Sequence, residues 1–267
     1  MIEILQAIFL GVIEGLTEFL PISSTGHLLI AQELIGFEDA EEIFTVVVQF
    51  GAIAAVLWYF RRDLWARVTG LLRREPSALA FWKLLIIATI PAGLAGLALD
   101  TTMEQITSPV VVALALIIGG VILWAVERRR AVPPKAEIQL DKISLRQGLI
   151  VGLSQCVALI PGVSRSGTTI VGGMQAGLNR PTATAFTFYL SIPIMVLASC
   201  YKLVQHADQI SNISGGLPAL AVGVVSAFFT ALLAVSWLLK YISRHSFTSF
   251  AYYRIAAGVI ILLLFAR

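Results

Sequence analysis

Six apolar runs, at 43–60, 82–99, 109–126, 183–201, 218–241 and 250–266, dominate this chain. Each approaches the ~20 residues that a helix needs to cross a hydrocarbon layer. With 58% hydrophobic residues, 13% charged ones and a mean hydropathy of +0.87 over 267 residues, the chain carries more apolar side chain than a soluble domain can bury. It has none of the short alternating segments of a transmembrane barrel. The expected class is an all-α integral membrane protein with six transmembrane helices in the lipid bilayer.

Charge then orients the spans. Arg61, Arg62, Arg67, Arg73, Arg74 and Lys83 crowd one loop, and Arg128, Arg129, Arg130, Lys135, Lys142 and Arg146 crowd a linker around Pro133-Pro134. Lys240 and Arg244 mark a third basic loop, whereas the loops with Asp100, Glu104 and Asp208 are poor in Lys and Arg. The basic loops are expected in the cytoplasm, which leaves both chain ends outside. The net charge of +3 reports topology and offers nothing for nucleic acid.

Six crossings leave residues 1–40 beginning and finishing outside, and 143–180 beginning and finishing in the cytoplasm. Each is expected to be a re-entrant helical hairpin. Proline and glycine at the tips stop the incoming helix, and Ser24 or Ser164 is placed to cap the outgoing one. Leu5 to Ile30 lies on Leu145 to Ile170, Phe44-Thr45 on Phe186-Thr187, and Gly119-Gly120-Val121-Ile122 near Ala257-Gly258-Val259-Ile260. One membrane domain thus divides into repeats of about 1–128 and 143–267, joined by a linker at 129–142. An odd number of crossings inverts the second copy, as in secondary transporters.

Two polar stretches interrupt the apolar background: Pro21-Ile22-Ser23-Ser24-Thr25-Gly26-His27 and Pro161-Gly162-Val163-Ser164-Arg165-Ser166-Gly167-Thr168. Such groups at hydrocarbon depth cost several kcal/mol unless they face protein or water, so they mark a functional site built from two halves. Glu14 and Glu18 share one face of the incoming helix. They repel one another unless a cation sits with them; the bland alternative is a helix lying at the outer interface with both in water. His27 falls in the first turn of the outgoing helix, where the dipole disfavours imidazolium; its competing role is packing. Arg165 combines fixed positive charge with the free N–H groups of a helix start, which is how proteins hold phosphate; the plain alternative is an interfacial anchor. Gln49 either lines a cavity or bridges helices.

Cys156 and Cys200 have neither metal-ligand spacing nor a partner nearby and are expected to be structural thiols. Glu3 stands where a signal peptide needs positive charge, so no cleavage is expected.

The segments Glu14-Gly15-Leu16-Thr17-Glu18-Phe19-Leu20-Pro21-Ile22-Ser23-Ser24-Thr25-Gly26-His27 and Pro161-Gly162-Val163-Ser164-Arg165-Ser166-Gly167-Thr168-Thr169 resemble the two signature segments of the bacterial undecaprenyl-diphosphatases, the bacitracin-resistance type of lipid phosphatase. The resemblance covers essentially the whole chain. It implies hydrolysis of the polyprenyl lipid undecaprenyl diphosphate to undecaprenyl phosphate and inorganic phosphate, at the outer, periplasmic face of the bacterial plasma membrane, recycling the cell-wall carrier lipid. It also implies a divalent cation, Mg2+ or Ca2+, with Glu14 and Glu18 as the acidic motif and metal candidates. His27 is implied as essential, Ser23, Ser24 and Thr25 as tip hydroxyls, and Arg165 with Ser164 as phosphate binders; Ser166 and Thr168 complete the expected phosphate site.

Electrostatics and positioning, which dominate phosphoryl transfer, suit this set. Ser24 is the expected nucleophile with His27 as its base, Glu18 orienting His27 or holding metal, and Glu14 assisting. The rival nucleophile is His27 itself. A carrier or flippase for an anion or lipid phosphate is the competing class of function. Monomer and homodimer are equally compatible with the apolar faces.

Overall fold

The computed structural model describes residues 2–39, 42–129, 136–206 and 215–265. Arg130, Pro133-Pro134, Lys135 and Asp208 lie outside them. Eleven α-helices follow one another among the described residues, with no strand: α1 (Ile2–Thr17), α2 (Ser24–Ile35), α3 (Ile43–Tyr59), α4 (Arg61–Leu72), α5 (Pro76–Ile106), α6 (Pro109–Arg128), α7 (Leu145–Cys156), α8 (Arg165–Gln175), α9 (Arg180–Gln205), α10 (Gly216–Ile242) and α11 (Thr248–Phe265). Five of these, α5, α6, α9, α10 and α11, are long and apolar enough to cross a membrane. The sixth expected span, α3, has 17 residues and bends by 75° into α4. The loop expected after residue 60 is therefore partly helical: Arg61, Arg62 and Arg67 sit on α4, whose Trp65 and Leu72 are exposed.

Capping explains several helix starts. Ser108 accepts from the Val111 N–H ahead of a first-turn Pro109, Asn179 accepts from Thr182 N–H at 2.8 Å, and Ser144 with Gln147 forms a capping box. Asp39 does the same for α3 from farther upstream, accepting from the N–H groups of Phe44 and Thr45. Burial of this carboxyl pushes its pKa up from the ordinary value, against the lowering pull of those donors.

The termini of α1 and α2 share one end of the molecule, where Gln6 donates to the Ile35 carbonyl at 2.8 Å. Those of α7 and α8 share the opposite end, where Gln147 donates to the Ala176 carbonyl at 3.0 Å. That second end also gathers the basic segments. Arg67 pairs with Asp141 at 2.9 Å, Asn179 donates to the Glu137 carbonyl, and the Ala136 N–H donates to the Ser243 carbonyl. A buried Glu127–Arg180 pair, which also accepts from the Phe247 N–H, joins α6, α9 and the start of α11 there.

Packing follows an exchange of partners. Helix α1 lies along α10 as α7 lies along α5, α3 packs on α10 as α9 packs on α5, and α6 pairs with α11. Close approach depends on glycine: a Cβ on Gly11 would strike the Gly223 carbonyl, and one on Gly152 the Ala88 carbonyl. Superposing Ser23 on Ser164 places Gly11 on Gly152, one residue away from the register expected from sequence. That register is set by the caps, since Ser23 and not Ser24 caps α2.

Candidate active site

The chain between α1 and α2 and the chain between α7 and α8 form matching turns. Ser23 (φ 69°, ψ 98°) and Ser164 (φ 75°, ψ 110°) both occupy positive-φ backbone, unusual for residues with a Cβ. Each caps its outgoing helix, Ser23 accepting from Gly26 N–H at 3.4 Å and Ser164 from Gly167 N–H at 3.1 Å. The two helix starts thus share one backbone geometry.

The turns touch directly. Arg165 Nη2 meets Glu18 Oε1 at 2.8 Å, and Ser166 Oγ donates to the Leu20 carbonyl at 2.8 Å. Arg165 is further fixed by the Thr187 carbonyl at 3.3 Å, by the Met195 sulfur and by the Phe19 ring beneath it. Ser24 Oγ donates to the other Glu18 oxygen. Glu18 therefore joins the candidate nucleophile to the candidate phosphate-binding arginine.

Arg254, absent from the sequence-based set, ties both turns together from behind. Only 2% exposed, it donates to the carbonyls of Pro21 and Val163, one from each turn, and to those of Ala115 and Leu116 on α6. Its neighbour Tyr253 reaches His27: Nε2 and the hydroxyl are 2.6 Å apart and the rings stack. His27 Nδ1 lies 2.7 Å from the Ser23 carbonyl, which can only accept. Nδ1 must therefore donate, leaving Nε2 to accept from Tyr253. Both ring nitrogens are thus engaged elsewhere, while the Ser24 hydroxyl donates to Glu18. Only the histidine and the tip itself were legible as polar residues in an apolar stretch; Tyr253 and Arg254 looked like the start of another span.

A cavity of about 730 Å3 opens beside these groups, lined by Glu18, Ser23, Ser24, Thr25, Ser164 and Arg165 at its polar end. Apolar walls from α5 and α9, including Ile90, Leu97 and Leu197, lead to a rim where Lys202 pairs with Glu42 at 3.0 Å. Gln49 lines it too and accepts from Ser199. Four expected site residues lie outside the lining, the buried Glu14 among them. His27 faces Tyr253, Ser166 faces Leu20, and Thr168 donates to the carbonyls of Ser164 and Arg165.

Glu14 is fully buried one turn from Glu18, and neither of its oxygens has a hydrogen-bond partner. No cluster of three or more His, Cys, Asp or Glu suited to a metal occurs among the described residues. The donor set is thus two carboxylates, one of them without protein partners. That is too few for an all-protein cage, but it fits Mg2+, which takes one or two carboxylates and completes its shell with water and substrate phosphate. Cys156 and Cys200 are free thiols.

The sequence model of the family described as bacitracin resistance protein BacA matches residues 7–260. Among similar proteins, an undecaprenyl-diphosphatase 1 of Burkholderia ambifaria is 48% identical over 267 residues, spanning 98% of this chain and 95% of the relative. An undecaprenyl-diphosphatase 1 of Paraburkholderia xenovorans is 50% identical over 97% of this chain and 94% of its own length. An undecaprenyl-diphosphatase of Ectopseudomonas mendocina is 46% identical over 96% and 92%.

Proposed function

The chain belongs to the BacA family, and on that premise we propose that it is a membrane-embedded phosphatase. Its substrate is undecaprenyl diphosphate, its products are undecaprenyl phosphate and inorganic phosphate, and its site opens to the exterior of the plasma membrane. Six crossings, with α3 as one, and two re-entrant hairpins, α1–α2 and α7–α8, make two inverted halves. The placement of hairpin ends at opposite poles and the exchange of helix partners support that arrangement.

The observation that carries the chemistry is the shared use of Glu18 by Ser24 and Arg165. Ser24 attacks the terminal phosphorus as Glu18 takes its proton, and Arg165 neutralises the phosphoryl oxygens. The polyprenyl phosphate leaves, and water frees Ser24 from the phosphoryl group. This moves the base from His27, the sequence-based choice, to Glu18, because the carboxylate already accepts from the hydroxyl. His27 holds the Ser23 carbonyl and so the turn that presents Ser24. Glu14 and Glu18 would hold the divalent cation, which supplies further neutralisation of the diphosphate when bound. The apolar walls suit a prenyl tail.

The test is phosphate release from a polyprenyl diphosphate by purified protein in detergent, with Mg2+ or Ca2+ present. Release that disappears in Arg165→Ala is expected. A carrier has no gradient to use in detergent, so no release by the folded wild type under either cation would sink the phosphatase.

A further inference from the structure

Every buried side-chain nitrogen or oxygen without a hydrogen-bond partner, among the described residues, belongs to Glu14, Gln155 or Arg165. Native folds satisfy nearly all such groups, and an orphan marks a ligand, a water or a strained function. Glu14 and Arg165 belong to the site already described. Gln155 does not.

Gln155 closes the last turn of α7, 2% exposed, and both Nε2 and Oε1 lack partners. It nevertheless lines the same cavity as Arg165, in a wall continued by Ala158, Leu159, Ile160 and Pro161. The other lining polar groups are mostly engaged: Glu18 by Arg165 and Ser24, Thr89 by the Leu85 carbonyl, Gln32 by Asp39 and Thr45. The backbone offers a second, independent observation. Superposing the caps Ser23 and Ser164 puts Gln155 on Glu14, so both halves carry an unpartnered buried polar side chain at the same place before the turn.

Resting on the phosphatase reading, we propose that Gln155 is a substrate-binding residue whose amide donates to an oxygen of the bound diphosphate. An amide suits this position because it adds donors without a further charge. A carboxylate there would repel the substrate, whereas in the first half Glu14 is placed to attract a cation. The partially filled hydrogen-bonding capacity of Arg165, whose Nε is also unpartnered, leaves a second donor for the same headgroup.

The experiment compares full-length wild type, Gln155→Leu and Gln155→Glu in detergent. Phosphate release from a polyprenyl diphosphate is measured alongside melting temperature and the thermal shift produced by methylenebisphosphonate, a non-hydrolysable diphosphate mimic. Gln155→Leu removes an unsatisfied buried amide, so its melting temperature is expected to stay level or rise. Its kcat/KM is expected to fall roughly tenfold to a hundredfold, with a smaller bisphosphonate shift. Gln155→Glu is expected to bind the bisphosphonate more weakly still. Wild-type kinetics and shift in Gln155→Leu would overturn the assignment, and so would a fall in melting temperature with activity lost in proportion. Failure of the wild type to release phosphate would instead strike the phosphatase reading.

Discussion

Glu18 and Arg165 are 147 positions apart in the chain and 2.8 Å apart in the fold, a carboxylate and a guanidinium meeting across two turns that approach from opposite ends. At 9% and 14% side-chain exposure, the pair is screened far less than a surface one. Since the second Glu18 oxygen holds Ser24, a change at Glu18 acts on both proton transfer and arginine placement. Glu18→Gln is expected to lower kcat by about 10²–10⁴, the range of a lost general base. Arg165→Lys keeps the charge without the planar fork and is expected to raise KM as well. Phosphate release at saturating and limiting substrate separates the two. A Glu18→Gln enzyme with unchanged kcat would remove the carboxylate from proton transfer.

His27 touches the turn through Ser23 and is itself held by Tyr253. An imidazole in that role is replaceable in a way that a nucleophile is not. Tyr253→Phe removes one neutral hydrogen bond and is expected to slow turnover by only about twofold to tenfold, matching ~0.5–1.5 kcal/mol. His27→Asn keeps a side-chain donor near the Ser23 carbonyl and is expected to retain measurable turnover, whereas Ser24→Ala retains none. Enzyme quenched in neutral SDS, which preserves both phosphoserine and phosphohistidine, should carry phosphate on Ser24. Recovery of phosphohistidine would reverse the two roles.

Among the described residues, it is neutral carbonyls from both turns and α6 that hold Arg254. Arg254→Ala leaves buried carbonyls unsatisfied at about 1–3 kcal/mol each, so a loss exceeding ~3 kcal/mol of stability and of all activity is expected. Arg254→Lys, with fewer and differently aimed donors, should fall between. Gly119→Ala should resemble it, because the added methyl would collide with the guanidinium. Melting in detergent checks the series, and an Arg254→Ala protein as stable and active as wild type would show that the turns hold without the clamp.

Spans were legible in the sequence because apolar length is a local property, and the polar tips because Ser, His and Arg stand out against Val157-Ala158-Leu159-Ile160 and its counterpart. What was not legible depends on distance in the chain. Tyr253 and Arg254 find His27, Pro21 and Val163 only after α11 packs on α6, and as single residues at a span start they resemble anchors. Gln155 reads as an ordinary helical polar residue until its burial without a partner is known. Ser23 and Ser24 are adjacent hydroxyls, and choosing between them as cap required the backbone angle, which moved the repeat register by one. Helix α4 was hidden by its own arginines, which made an amphipathic helix look like a loop.

The two poles differ in charge. The pole with Arg61, Arg62, Arg73, Arg128, Lys142 and Arg244 carries most of the basic charge, and the cavity instead reaches the opposite pole, at Glu42 and Lys202. Because cytoplasmic loops collect Lys and Arg, the cavity is expected to open outward. In a variant with Cys156 and Cys200 replaced by serine, Glu38→Cys and Arg73→Cys place single thiols at exposed positions on the two poles. A membrane-impermeant maleimide added to spheroplasts is expected to label Glu38→Cys at once and Arg73→Cys only after lysis. The opposite pattern would turn the cavity to the cytoplasm, where it could serve a lipid diphosphate only on the inner leaflet.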